Sequence, residues 1–272
     1  MRFAYNTLVY GDEPIEKGIA RIARSGYDGV ELVGEPQKLN GKQINQFLNY
    51  HKIQASSICS IFDKSRDLVH PDSKIRENGI SYVKAVIDLA QEVGSKIVIV
   101  RPSPCMKTNP QASEEQEWEW AVENIKKCGQ YAAEKNTILV IEAWNRYETY
   151  FINRLDQAMA LCEDVNSENV GVMGDTFHMN IEEYDMAEAI RSCGGRLKHI
   201  HLADSNRAAP GRGHIDFRPI IQAIKDIQYE GYLSFELLPA AADPFRVLKS
   251  GSASEFFDQY TQEAIATIKS LF

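Results

Sequence analysis

Eight short apolar runs alternate with longer amphipathic stretches along this 272-residue chain. The runs near 2–7, 28–33, 53–59, 96–101, 137–142, 169–175, 197–202 and 231–236 have the length and composition of strands. The stretches near 13–25, 40–51, 73–93, 114–135, 153–165, 182–193, 217–227 and 254–271 read as helices. Such regular alternation is the pattern of repeated βα units, because parallel strands need a crossover helix to bring the chain back. Eight units in a chain close to the roughly 250 residues typical of one closed parallel barrel predict an α/β fold, a single (β/α)8 TIM barrel, as one domain over residues 1–272. Glycine punctuation agrees: Ser25-Gly26, Val93-Gly94 and Cys193-Gly194-Gly195 place glycine where a helix C-cap wants it, immediately before a strand run. No internal repeat, low-complexity tract or linker marks a second domain.

The connections are unequal. Segments leading into strands are tight, whereas 102–113, 143–152 and 203–216 are long and all follow strand ends. Long loops at the C-terminal face of a barrel are where substrate recognition sits. A net charge of -8 provides no basic footprint for nucleic acid or an anionic membrane, so a small neutral substrate is expected. Five cysteines without a C-x-x-C pair argue against a disulfide framework. With no signal-peptide pattern at the start and no apolar run of spanning length, a cytoplasmic protein is expected.

Four of the runs end on a residue that binds metals. Glu142 closes Ile138-Leu139-Val140-Ile141, Asp175 closes the run from Val170, His201 closes Leu197-Lys198-His199-Ile200, and Glu236 closes Tyr232-Leu233-Ser234-Phe235. These four lie 33, 26 and 35 residues apart, about one strand-helix unit each. If each run is a barrel strand, all four side chains converge at the C-terminal mouth. Three carboxylates and one imidazole suit a divalent ion such as Mn²⁺, with Mg²⁺ or Co²⁺ as alternatives, and disfavour metals that want thiolates. Each acid alone reads equally well as half of a salt bridge; four together on strand ends favour the metal. Strand alternation puts His199 on the same face as His201, one layer lower.

The loops add candidates. Glu148 lies six residues past Glu142, and Arg146 between them reads as a clamp on the loop through a carboxylate. His178 follows Asp175 after one short turn, with Asn180 and Glu183 spaced as a capping box for the next helix. Arg207 sits on the loop after His201, placed to reach substrate oxygens. Gly211-Arg212-Gly213 reads as a plain turn rather than an anion-binding loop.

The segments Glu142-Ala143-Trp144-Asn145-Arg146-Tyr147-Glu148, Asp175-Thr176-Phe177-His178-Met179-Asn180-Ile181-Glu182-Glu183 and His201-Leu202-Ala203-Asp204-Ser205-Asn206-Arg207 with Pro210-Gly211 closely resemble the ketose 3-epimerases, the D-tagatose and D-psicose 3-epimerase group within the xylose-isomerase-like barrel superfamily. The likeness is strongest over 137–240. It implies that Glu142, Asp175, His201 and Glu236 are the metal ligands, that Glu142 and Glu236 are also the acid/base pair, and that Glu148, His178 and Arg207 contact substrate. It further implies a homo-oligomer, dimer or tetramer. Asn6-Thr7 on the first strand and Trp144 depart from the group's pattern, and these departures bear on the sugar rather than on the metal.

The expected reaction is inversion of C3 of a ketose, by proton abstraction and reprotonation through a metal-stabilised enediolate. An aldose-ketose isomerase or an inosose-type dehydratase would use the same metal site. A DNA repair endonuclease of the same superfamily would need several metals and a basic face, and a sugar-binding protein would need a broken site, whereas every expected ligand is present.

Overall fold

In a computed structural model, which describes residues 1–239, 246–247 and 254–272, the eight predicted strands form a closed parallel barrel in sequence order. They are β1 (Arg2–Asn6), β2 (Gly29–Gly34), β3 (Gln54–Ser60), β4 (Ile97–Val100), β5 (Ile138–Glu142), β6 (Val170–Asp175), β7 (Leu197–Leu202) and β8 (Tyr232–Phe235). Between them run α1 (Ile15–Arg24), α2 (Gly41–His51), α3 (Ser73–Val93), α4 (Glu114–Glu134), α5 (Leu155–Val165), α6 (Thr176–Glu182), α7 (Met186–Cys193) and α8 (Phe217–Asp226), and a C-terminal helix covers Ser254–Lys269. The barrel closes where β1 pairs with β8, Arg2 opposite Tyr232 through Tyr5 opposite Phe235. Among the described residues no helix is long and apolar enough to cross a membrane.

The helices form where local chemistry starts and stops them. Side chains of Asp72, Ser113 and Asp216 accept backbone N–H groups at the starts of α3, α4 and α8, each such cap contributing about 1 kcal/mol. Gly26 and Gly94 take φ of +80° and +76° as α1 and α3 end, a region that L side chains rarely enter. Each helix then lays an apolar stripe on the outside of the barrel: Ile19 and Ile22 of α1, Val83, Val86 and Ile87 of α3, and Ile220, Ile221 and Ile224 of α8 are all buried. Burial of one such side chain stabilises by about 1.5–3 kcal/mol.

Inside the barrel two environments meet. Toward β3 to β6, Cys59, Ile99, Val140 and Met173 form a separate apolar cluster. The side formed by β7, β8, β1 and β2 is polar, with buried His199, His201, Ser234, Asn6 and Glu31. Two register shifts help set these positions. One between Val30 and Glu31 brings Glu31 opposite Ser57, and one between Val172 and Met173 brings His199 opposite Met173 and His201 opposite Asp175. Bulges of this kind re-aim side chains next to functional sites.

One predicted stretch differs. The segment 182–193 was expected as one helix capped by Asn180, but α6 begins directly after Asp175 and α7 begins only at Met186. Asp185, not Asn180, caps α7 through the N–H groups of Ala187 and Glu188. The reason is local: Asp175 accepts the N–H of Phe177 and nucleates a helix at once, so Asn180 lies inside α6.

Candidate metal centre

The ends of β5, β6 and β7 and the residue after β8 deliver Glu142, Asp175, His201 and Glu236 to one point in the barrel mouth, all four buried. One ligand atom from each lies within 4.8 Å of the others. His201 Nδ1 is 3.3 Å from Glu236 Oε2, 3.6 Å from Asp175 Oδ2 and 3.8 Å from Glu142 Oε1. Donors around a small octahedral ion stand roughly 3 Å apart when adjacent and about 4 Å when opposite, so this spacing fits one ion. The strongest sign is what these atoms lack. Both oxygens of Glu142 and both ring nitrogens of His201 are buried without a hydrogen-bond partner among the described residues, and buried polar groups are otherwise almost always satisfied.

Electrostatics set the four apart. Burial pushes Glu142 up to about 7, partly offset by Arg101 and His201. Burial works against the charge of Asp175 as well, but Arg207 and the neighbouring imidazoles hold it well below the usual carboxylate range. Glu236 also sits below its ordinary value, because Arg207 and His201 outweigh burial. His201 is held well above its ordinary value against the effect of burial, by Glu31 and Glu236. The two glutamates of the site are therefore pushed in opposite directions, the pattern by which paired carboxylates divide acid and base roles.

The substrate-side candidates surround this cluster. Arg207 donates to Asp175 Oδ2 and Glu236 Oε2. It does so from a backbone at φ +64°, held by its N–H to Asp204 O at 2.9 Å and by Leu238 N–H to its own carbonyl at 2.8 Å. Unfavourable backbone of this sort is tolerated where surrounding structure fixes it. Burial pushes His178 down to about 3, so its ring is neutral. Its Nδ1 lies 2.8 Å from the side-chain amide of Asn145 and accepts from it. The proton then sits on Nε2, a buried atom with no partner among the described residues and a ready donor. The same amide donates to Glu148 Oε1 at 2.9 Å, which links Glu148 to His178 through Asn145. Arg146 is the expected clamp, and its partner is Glu182 of α6, gripped by both Nε and Nη2. The Gly211-Arg212-Gly213 segment is a turn, with Arg212 paired to Glu263 and Gly211 N–H given to Asp204.

Sequence reasoning missed two charged groups. Arg101 directly follows β4, its guanidinium 3.6 Å from Glu142 Oε2 and 4.1 Å over the Trp144 ring. Trp144 in turn stacks on His178 at 5.0 Å, so the unusual tryptophan is the middle of an Arg101–Trp144–His178 stack. The strand-end rule that picks out the four candidate ligands picks out Arg101 too. Glu31 is the other, in the middle of β2 and 2.7 Å from both His199 Nε2 and His201 Nε2. Its sequence signal is a lone acid inside an apolar strand, costly to bury unless a partner waits there.

Residues 19–253 match the model of a protein family described as the xylose isomerase-like TIM barrel. A D-psicose 3-epimerase of Enterocloster bolteae is 41% identical over 132 residues, spanning 48% of this chain and 41% of that protein. This chain therefore matches less than half the length of that relative. A 3-dehydro-D-guloside 4-epimerase of Escherichia coli is 26% identical over 261 residues, covering 93% of this chain and 98% of that protein. The crystal structure of a D-allulose 3-epimerase from Methylomonas sp., solved in complex with D-allulose, superimposes with a TM-score of 0.90 at 25% identity over 100% of this chain and 97% of that one.

Proposed function

This chain belongs to the xylose isomerase-like TIM barrel family, and on that premise we propose that it is a divalent-metal-dependent sugar epimerase, an isomerase that inverts C3 of a ketose. The observation that carries the reading is the convergence of Glu142, Asp175, His201 and Glu236 within 4.8 Å, with the Glu142 oxygens and His201 Nδ1 left unpartnered. In this reading the four hold Mn²⁺, or Mg²⁺ or Co²⁺. An ion held there would supply Lewis-acid polarisation of the ketose carbonyl, worth several kcal/mol of charge stabilisation.

The protein's own groups handle the proton. One of Glu142 and Glu236, as carboxylate, takes the hydrogen from C3 as H⁺, and the electron pair left behind delocalises onto the carbonyl oxygen at C2. The other, as carboxylic acid, delivers a proton to the opposite face of C3, so the configuration inverts. The reverse reaction exchanges their roles. Before any ion binds, burial raises Glu142 while Arg207 and His201 hold Glu236 down, so the two carboxyl groups differ in proton affinity. His178 Nε2–H and Arg207 orient the substrate oxygens, Glu148 holds a hydroxyl, and the Arg101–Trp144–His178 stack fixes the imidazole. The enzyme works on a small sugar in the cytoplasm as a homo-oligomer, and takes neither nucleic acid nor membrane as a partner.

A second reading has its own support, since the E. coli 4-epimerase matches along nearly its whole length. Inversion of the carbon beside a C3 ketone is the same chemistry shifted by one position, and the same glutamate pair serves it. The test is a product screen in D₂O with added Mn²⁺, using free ketoses, phosphorylated ketoses and 3-keto glycosides. A C3 epimer with solvent deuterium at C3 is expected. An aldose that keeps the substrate hydrogen would replace the epimerase with a hydride-shift isomerase, and a dehydrated inosose product would replace it with a dehydratase.

A further inference from the structure

Beneath the four ligands lies a second polar group that the proton transfer does not use. Glu31 is fully buried on β2 and reaches across the interior to β7. Each of its oxygens has two close polar neighbours. Oε1 accepts from Asn6 Nδ2 at 2.6 Å and lies 2.7 Å from His201 Nε2, while Oε2 accepts from Ser57 Oγ at 2.5 Å and pairs with His199 Nε2 at 2.7 Å. The Asn6 amide cannot turn over, because its own oxygen accepts Leu8 N–H at 2.8 Å. Glu31, His199 and His201 could also hold an ion by proximity alone, but a carboxylate already met by an amide at one oxygen and a hydroxyl at the other is satisfied without one. The register shift at Glu31 is what sets it opposite Ser57.

The consequence falls on His201. An imidazole that gives its Nε2–H to a carboxylate has only Nδ1 left as a lone-pair donor, and Nδ1 is the nitrogen that faces Glu142, Asp175 and Glu236. We propose that Glu31 is the positioning residue of the metal centre: it keeps the proton of His201 on Nε2, where it can be donated to the carboxylate 2.7 Å away, and so fixes Nδ1 as the metal-facing atom, with His199, Ser57 and Asn6 holding Glu31 in place. The inference rests on the metal reading given above and adds the residue that orients its one nitrogen ligand. Groups that orient a ligating histidine typically change metal affinity 10- to 100-fold when removed.

The test compares wild type, Glu31→Gln and Glu31→Asp. Gln has nearly the same shape, but it offers one acceptor and one donor end, so it no longer dictates the proton on both rings. Titration of chelated protein with Mn²⁺, followed by electron paramagnetic resonance, is expected to show about 10- to 100-fold weaker binding in E31Q and partial recovery in E31D. Nitrogen-15 NMR of Mg²⁺-saturated wild type is expected to place the His201 proton on Nε2, with a downfield signal that E31Q loses. Mn²⁺ binding in E31Q within twofold of wild type overturns the proposal. So does a wild-type His201 protonated on Nδ1, a measurement that stands even if E31Q does not fold. Wild type that binds no Mn²⁺ would instead bring down the metal reading itself, whereas a metal-binding wild type beside an indifferent E31Q removes only the role of Glu31.

Discussion

The two halves of the barrel are built from the same units and do different work. Each of β5 to β8 carries a candidate ligand at or next to its end, and their loops bring Glu148, His178 and Arg207. β1 to β4 end on no such set; of their inward groups, Asn6, Glu31 and Arg101 touch candidate ligands of the other half, and Ser57 holds Glu31. In the proposed reading one half holds the reacting centre and the other holds that half in position. The difference teaches how the barrel divides labour: the chemistry sits in short contiguous motifs after consecutive strands, while the support is spread over single residues far apart in the chain.

That division can be broken by experiment. Chelation should remove all activity, and Mn²⁺ or Co²⁺ should restore it; full turnover in protein shown by elemental analysis to be metal-free would empty the second half of its assigned task. Glu236→Gln should keep the fold by circular dichroism and lose roughly 10³-fold in kcat, the range for removing a general acid or base, and near-normal turnover would detach β8 from the chemistry. Arg207→Ala and Glu148→Ala should lower turnover about 10- to 100-fold, the scale of a hydrogen bond to a charged group, with metal content kept. Because Arg207 pairs with two of the candidate ligands, metal affinity in R207A should stay level or rise, and a fall would move Arg207 from competitor to support. Ser57→Ala, from the supporting half, should weaken Mn²⁺ binding only a few-fold and cost about 1 kcal/mol of stability, as for loss of one buried hydrogen bond. Smallest of all, Arg146→Ala should leave the thermal midpoint nearly unchanged, since the Arg146 side chain is 64% exposed and its pairing with Glu182 is screened by water; a clear drop in thermal denaturation would show that the clamp holds the whole β5 loop.

The same contrast explains what the sequence made legible. Glu142, Asp175, His201 and Glu236 each stop an apolar run, so strand rhythm and chemistry point to the same positions. Glu31 stops nothing. It stands between Val30 and Leu32, and its partners lie 25, 26 and 168 residues away, so only closure of the barrel brings them together. The extra helix α6 was missed because Thr176-Phe177-His178 carries no helical periodicity of its own and is started by a side chain already assigned to the metal. Trp144 is a departure from the pattern in sequence, and the structure shows it in contact with both Arg101 and His178.

Asp175 does two jobs with two oxygens. Oδ1 accepts the N–H of Phe177 at 2.9 Å and starts α6, which leaves Oδ2 facing His201 and Arg207. A bound ion would therefore meet this carboxylate through one oxygen, and the first turn of α6 would open less often while the ion is present. Occupancy of the centre should then be readable without any sugar or turnover, as slower hydrogen–deuterium exchange at the amide of Phe177, so that a single backbone proton reports whether the site is loaded.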